Sequence, residues 1–213
     1  MSEETSYFDG IVSDIEKAWD WGWSQLGFDS EGSVFNDRIL SFDAAIDLLK
    51  ELAMGTDIAD ESDIRNAARY LMSEGPPLYY WGHPASETIR TGSLSTMLVE
   101  GADCSGCTLT MAVFAGLCDG DWALAHRSTS LLIPALTEVP VGEQRPGDVA
   151  CYSGHVAMVV DWPGDDGHSW CLSMSGGNSS VKGDNPSACG KIVKGNYMNT
   201  FTKYGRFPAQ GAT

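Results

Sequence analysis

The sequence predicts an α+β domain carrying a helical N-terminal extension. Two observations lead there. Apolar residues recur at helical spacing through the first seventy or so positions, and from Gly147 onward the pattern becomes strand, turn, strand. Helices first and strands later is the order of an α+β chain rather than of a parallel βαβ one. The predicted division is an extension over 1–61 and a catalytic-type domain over 62–213.

In the extension, Phe8, Ile11, Val12, Ile15, Ala18 and Trp19 form one apolar stripe. Ser41 is a candidate N-cap for a second helix, with Phe42, Ala45, Ile46, Leu49, Leu52 and Ala53 on one face and Gly55 as its stop. A third helix is expected from near Ser62, with Ile64, Ala67, Ala68, Leu71 and Met72 as its stripe. Gly75-Pro76-Pro77 ends it, because proline lacks an N–H and restricts the residue before it. Thr108 to Leu117 reads as helix behind the turn-like Asp103-Cys104-Ser105-Gly106. Val149 to Tyr152, Val156 to Val160 and Ser169 to Met174 read as strands, with Pro163 to Gly167 as the loop before the third. A Gly/Ser/Asn-rich stretch over 176–190 precedes a last strand around Tyr197 to Phe207.

Composition bounds the partners. The 213 residues carry 29 acidic and 13 basic side chains, a formal charge of −16. Phosphate-backbone binding needs clustered Lys and Arg, so nucleic acid is not an expected partner. No apolar run approaches the roughly 20 residues of a membrane span, so no membrane partner is expected either. The acidic start Met1-Ser2-Glu3-Glu4-Thr5 lacks the apolar core of a secretory signal, which predicts synthesis in the cytoplasm. Without that signal, the six cysteines read as reduced thiols rather than a disulfide framework. Trp19, Trp21 and Trp23 read either as core packing or as a surface docking a wall or protein partner.

Chemistry concentrates in two places. Cys104 opens a helix, where the positive end of the macrodipole favours thiolate and is expected to lower the thiol pKa. Such a cysteine is a nucleophile if a base lies nearby. His155 starts the most β-like segment, just after the turn Ser153-Gly154, and can point into a cleft while its strand packs in the core. Cys104-x-x-Cys107 also fits a redox pair or half a zinc site, but no second C-x-x-C and no preceding βαβ pattern support either. The Asp161/Asp165/Asp166 group reads as a solvated acidic loop.

Five motifs occur in a fixed order: Tyr79-Tyr80-Trp81-Gly82, Asp103 to Gly106, Arg127-Ser128-Thr129, Pro146-Gly147-Asp148 and Gly154-His155-Val156. In this order the chain resembles the NlpC-type cell-wall peptidases, over about residues 62 to 208. The wording around Asp148 and His155 is also similar to the CHAP-type amidases. The resemblance implies a papain-like core, with a central antiparallel sheet packed on the cysteine-bearing helix. It also implies a peptidoglycan hydrolase that cuts an amide bond in stem peptides without cofactor or metal. Cys104 would be the nucleophile and His155 the base, with the N–H of Cys104 in the oxyanion hole. Tyr79, Asp103 and Ser105 would receive the stem peptide. Arg127 reads as a further contact or as a surface salt bridge, and Asp103 equally as a plain N-cap. A phage lysin or virion-associated enzyme acting on the bacterial wall fits this picture. The alternative is a catalytically silent wall-binding or structural module of the same fold, for example in a phage tail.

The chain departs from the family at several points. His83 replaces the second glycine of the tyrosine motif, Cys107 replaces an aromatic or leucine, and the Gly82–Asp103 connection is longer than usual. The orienting histidine on the returning strand is absent. A turn centred near Gly164-Asp165 sets position 173 opposite Ala157 and 175 opposite His155, so Ser173 and Ser175 share the histidine's sheet face. Ser173 also matches the family's third position. It is the expected orienter, through Nδ1 of His155, with Ser175 and Asn178 as alternatives.

Overall fold

A computed structural model of the protein describes residues 59–75, 77–175 and 189–208. The two helices expected in the N-terminal extension, the tryptophan-bearing segment and Asn178 lie outside them, as does the side chain of Ser175.

Helix α1 (Ala59–Ser73) starts three residues before the expected Ser62 and ends just before the Gly-Pro break. Ile64, Ala67, Ala68, Leu71 and Met72 are apolar side chains that it buries, each at most 1% exposed. The three large ones contribute on the order of 2 kcal/mol apiece by leaving water. The long Gly82–Asp103 connection, read as loop from sequence, holds two short helices, α2 (Ser86–Thr91) and α3 (Leu94–Glu100). Thr88 Oγ1 and the Ala85 N–H both donate to the Glu100 carboxylate at 2.9 and 2.8 Å, clipping the two together. Helix α4 (Cys104–Phe114) is buried on all sides from Cys104 through Ala112, as a helix at the centre of a core must be. Two further short helices follow, α5 (Gly120–Ala125) and α6 (Thr129–Ala135).

Six strands complete the fold: β1 (Thr137–Val139), β2 (Val149–Tyr152), β3 (His155–Val159), β4 (Trp170–Ser175), β5 (Cys189–Lys194) and β6 (Phe201–Arg206). They form one antiparallel sheet in the order β1-β6-β2-β3-β4-β5. The domain is therefore α+β. Central β2 is buried at every position, and β3 at all but its first, which is why both read as unbroken apolar runs. Strands β1 and β5 escaped the sequence reading. The first is only three residues long, and the second begins inside the Gly/Ser/Asn-rich stretch. Tyr197 lies just after a turn, outside the last strand.

Register matters most at β3. Tyr152 pairs with His155 across the two-residue turn Ser153-Gly154, and Gly154 takes the positive φ of 75° that this turn requires. On the other side Met158 pairs with Leu172 and Val159 with Cys171. Carried one step further, that register sets Ala157 opposite Ser173, as the hairpin arithmetic predicted. One sheet face gathers Ala150, Tyr152, Ala157, Val159, Cys171, Val193 and Tyr204 in a buried cluster. His155 and Ser173 belong to the same face by alternation.

The Pro146-Gly147-Asp148 turn has a structural task. The Asp148 carboxylate, 1% exposed, accepts from Arg206 Nε and Nη2 at 2.7 Å each and from the Arg145 N–H at 2.9 Å. This bidentate pair ties the start of β2 to β6. Asp148→Asn should lower stability by about 2–3 kcal/mol in urea denaturation. Glu138→Gln, which loosens only the exposed pair with Lys203, should change it by less than about 0.5 kcal/mol.

Candidate active site

The site is assembled from two chain segments that zip together. Tyr80 N–H donates to Ala102 O at 3.1 Å and Ala102 N–H to Leu78 O at 3.0 Å, so the tyrosine motif pairs with the residues just before Asp103. The Asp103 N–H donates to His83 O at 2.8 Å. Its carboxylate accepts from Gly106 N at 2.7 Å, Ser105 Oγ at 3.1 Å and Gly82 N at 3.0 Å. Asp103 is thus the N-cap of α4 and also the clasp holding the Tyr79–Gly82 turn against the helix start. Gly106 is needed for this approach. A Cβ there would stand 2.4 Å from His83 O and 2.7 Å from Pro84 Cδ.

Cys104 is the first residue of α4 and 7% exposed. The backbone N–H groups of Val156, Ser105 and Cys104 favour charge on its sulfur. Helix α4 packs on β3, the strand that His155 opens. The described pairing of β4 with β3 stops at Met158↔Leu172, short of Val156. Fold and register thus bring the cysteine-bearing and histidine-bearing ends together. No hydrogen bond joins the Cys104 thiol directly to the His155 ring among the described residues.

His155 is held through Nε2, which lies 2.8 Å from Ser173 Oγ and 3.2 Å from Tyr197 OH. Ser173 therefore reaches the histidine, but through the opposite ring nitrogen from the Nδ1 expected. Tyr197 was missed, because a tyrosine outside any motif gives no sequence signal of its position. Its ring packs edge-on to Tyr152, centroids 5.6 Å apart.

The remaining expected residues support the scaffold. Tyr79 is 5% exposed, and burial, with smaller effects of Cys104 and Asp103, pushes its phenol up to about 12. Ser105 is buried and donates to Asp103. Arg127 makes no salt bridge among the described residues. Its guanidinium donates to Gly82 O, to Pro84 O at 2.8 Å and to Ser86 Oγ at 3.2 Å, bracing the loop behind the turn. Trp81, at the tip of that turn, is 57% exposed. Cys107 is buried beneath Cys104, and all six cysteines are free thiols. Among the described residues no group of three or more His, Cys, Asp or Glu is arranged to hold a metal ion.

Electrostatics correct the expectation of an activated thiolate. Burial, and next the Asp103 charge, push the Cys104 thiol up to about 11; the three N–H groups oppose this without overcoming it. A helix terminus is worth less than about 1 kcal/mol at most sites, under one pH unit, whereas desolvation shifts a thiol by several. Burial likewise lowers His155 to about 4. The resting pair at neutral pH is thiol and neutral imidazole.

Two measurements follow from this geometry. Alkylation of Cys104 by iodoacetamide, read by peptide mass analysis, should be slow at pH 7 and rise about tenfold per pH unit up to pH 9. A fast, pH-independent rate from pH 5 would instead reveal a preformed ion pair. Gly106→Ala should cost about 1–3 kcal/mol in thermal or urea unfolding, since backbone and a proline ring must move to admit the methyl group.

Compared with protein-family models, curated proteins and solved structures, the chain matches none of them, so its functional reading rests on the residues of the site itself.

Proposed function

We propose that this protein is a cysteine-dependent amide hydrolase with a papain-like core, acting on peptidoglycan stem peptides. The observation that carries the hydrolase reading is that α4, opened by Cys104, packs on β3, opened by a histidine held by two hydroxyls. The substrate class rests on the five ordered motifs and their resemblance to the NlpC-type peptidases.

The chemistry runs as a general-base attack. With Nε2 engaged by Ser173 and Tyr197, Nδ1 of His155 is the nitrogen that takes the Cys104 thiol proton. Sulfur adds to the amide carbonyl carbon as that proton leaves, and the C=O electron pair moves onto oxygen. The Cys104 N–H, at a helix start, suits that developing negative charge. Collapse breaks the C–N bond, and the proton on Nδ1 goes to the departing amine. His155 then takes a proton from water, which hydrolyses the thioester and returns the thiol.

A silent module of the same fold is the second reading. It is favoured by the thiol's burial and the absence of a direct Cys104–His155 hydrogen bond among the described residues. Separated contacts in an unliganded site are compatible with catalysis, because such bonds tighten when substrate binds. Digestion of purified wall fragments, with mass analysis of products, separates the two. Wild-type protein should release stem-peptide fragments, and Cys104→Ala should abolish release with an unchanged melting temperature. Binding of wall fragments without cleavage by the wild type would establish the silent module instead.

A further inference from the structure

We propose that Tyr197 is a positioning residue for His155, acting with Ser173 as a hydroxyl pair that holds the ring through Nε2–H and turns a bare Nδ1 toward Cys104. The assignment of Nδ1 as the proton acceptor rests on the hydrolase reading above; the hydroxyl pair itself does not.

Three polar atoms form a closed triangle. Ser173 Oγ is 2.8 Å from His155 Nε2, Tyr197 OH is 3.2 Å from Nε2, and the two hydroxyl oxygens are 3.0 Å apart. A serine oxygen has two lone pairs, so it can accept from Nε2–H and from the phenol together. The phenol is the more acidic hydroxyl and hence the natural donor within the pair. Both hydroxyl oxygens then keep a lone pair for the Nε2–H proton.

Both hydroxyls are held in place. Ser173 is fully buried on β4, fixed by its pairing with Lys191 on β5. Tyr197 follows the turn in which its N–H donates to Lys194 O at 2.9 Å. Tyr152 anchors that turn by donating its hydroxyl to Gly195 O at 2.8 Å, and its ring packs against both Tyr197 and His155. Gly195 has no room for a side chain, since a Cβ there would lie 1.9 Å from the Tyr204 hydroxyl. The backbone before Tyr197 is thus pinned by two aromatic side chains. One polar residue on the returning strand would orient a catalytic histidine alone; here the task is divided between a short strand residue and a long residue from the next connection.

The test uses the full chain labelled with 15N-histidine, with the His155 signals assigned by comparison with His155→Gln. Wild-type His155 should carry its proton on Nε2. Tyr197→Phe, which keeps the ring and removes only the hydroxyl, should mix the two tautomers. On wall fragments it should lower kcat about 3- to 10-fold with KM unchanged, the size expected for one neutral hydrogen bond. Tyr197→Phe combined with Ser173→Ala should lose less than the product of the two single losses, since the hydroxyls act as one unit. A wild-type His155 protonated on Nδ1 overturns the proposal, and this reading needs no variant to fold. So does a Tyr197→Phe protein with an unchanged tautomer. If Cys104→Ala proves as active as wild type, the hydrolase reading fails, while the tautomer measurement still decides the hydroxyl pair.

Discussion

Everything at this site depends on the Asp103 carboxylate. Its Oδ1 caps α4 and takes the Ser105 hydroxyl, while Oδ2 reaches the Gly82 N–H on the far segment. Without it, the first turn of a helix buried from Cys104 through Ala112 would lose the acceptor of its Gly106 N–H. The tyrosine turn would also lose its anchor on the helix. The same carboxylate has an electrostatic cost, because it stands beside Cys104 and raises the thiol pKa. One residue thus fixes where the sulfur is and makes it harder to ionise.

That conflict is resolved by neutrality. A site with an acid beside its cysteine and no charged group on its histidine gains little from an ion pair at rest. Ser173 and Tyr197 can accept from Nε2–H, but neither supplies the negative charge with which a carboxylate would stabilise imidazolium. Burial of His155 acts in the same direction. Burial is therefore the larger cause of both the low histidine pKa and the high thiol pKa, with the Asp103 charge adding to the second.

The sequence made legible those parts of the fold governed by periodicity or by local caps. The α1 stripe, the β2–β3 turn and the register that sets Ser173 opposite Ala157 follow from spacing alone. Asp103 as a cap was readable from its place before an apolar helical run. The helices inside the Gly82–Asp103 connection were not, being six and seven residues long and polar on their surface. The partners of Arg127 were not readable either, since no local pattern reveals that a loop about 40 residues earlier presents carbonyls to it. Tyr197 was invisible for the same reason: its partners are 24 and 42 residues away and set by sheet order. The pKa expectation failed because a helix terminus can be read from sequence, whereas burial, the larger effect, cannot.

A neutral resting pair also moves the electrostatic work to a useful moment. In the proposed reaction charge separates only as the thiol proton leaves, so groups that favour a negative sulfur or oxygen act on the transition state more than on the resting state. The N–H groups of Val156, Ser105 and Cys104 already favour charge on the sulfur, from a helix start on one side and a strand start on the other. Such dipoles need no reorganisation when the charge appears, and burial keeps water from screening them. The feature that makes Cys104 a poor thiolate at rest is the same one that would make these three donors effective during attack. A charged orienter in place of the hydroxyl pair would shift part of that stabilisation to the resting ion pair, where it no longer lowers the barrier.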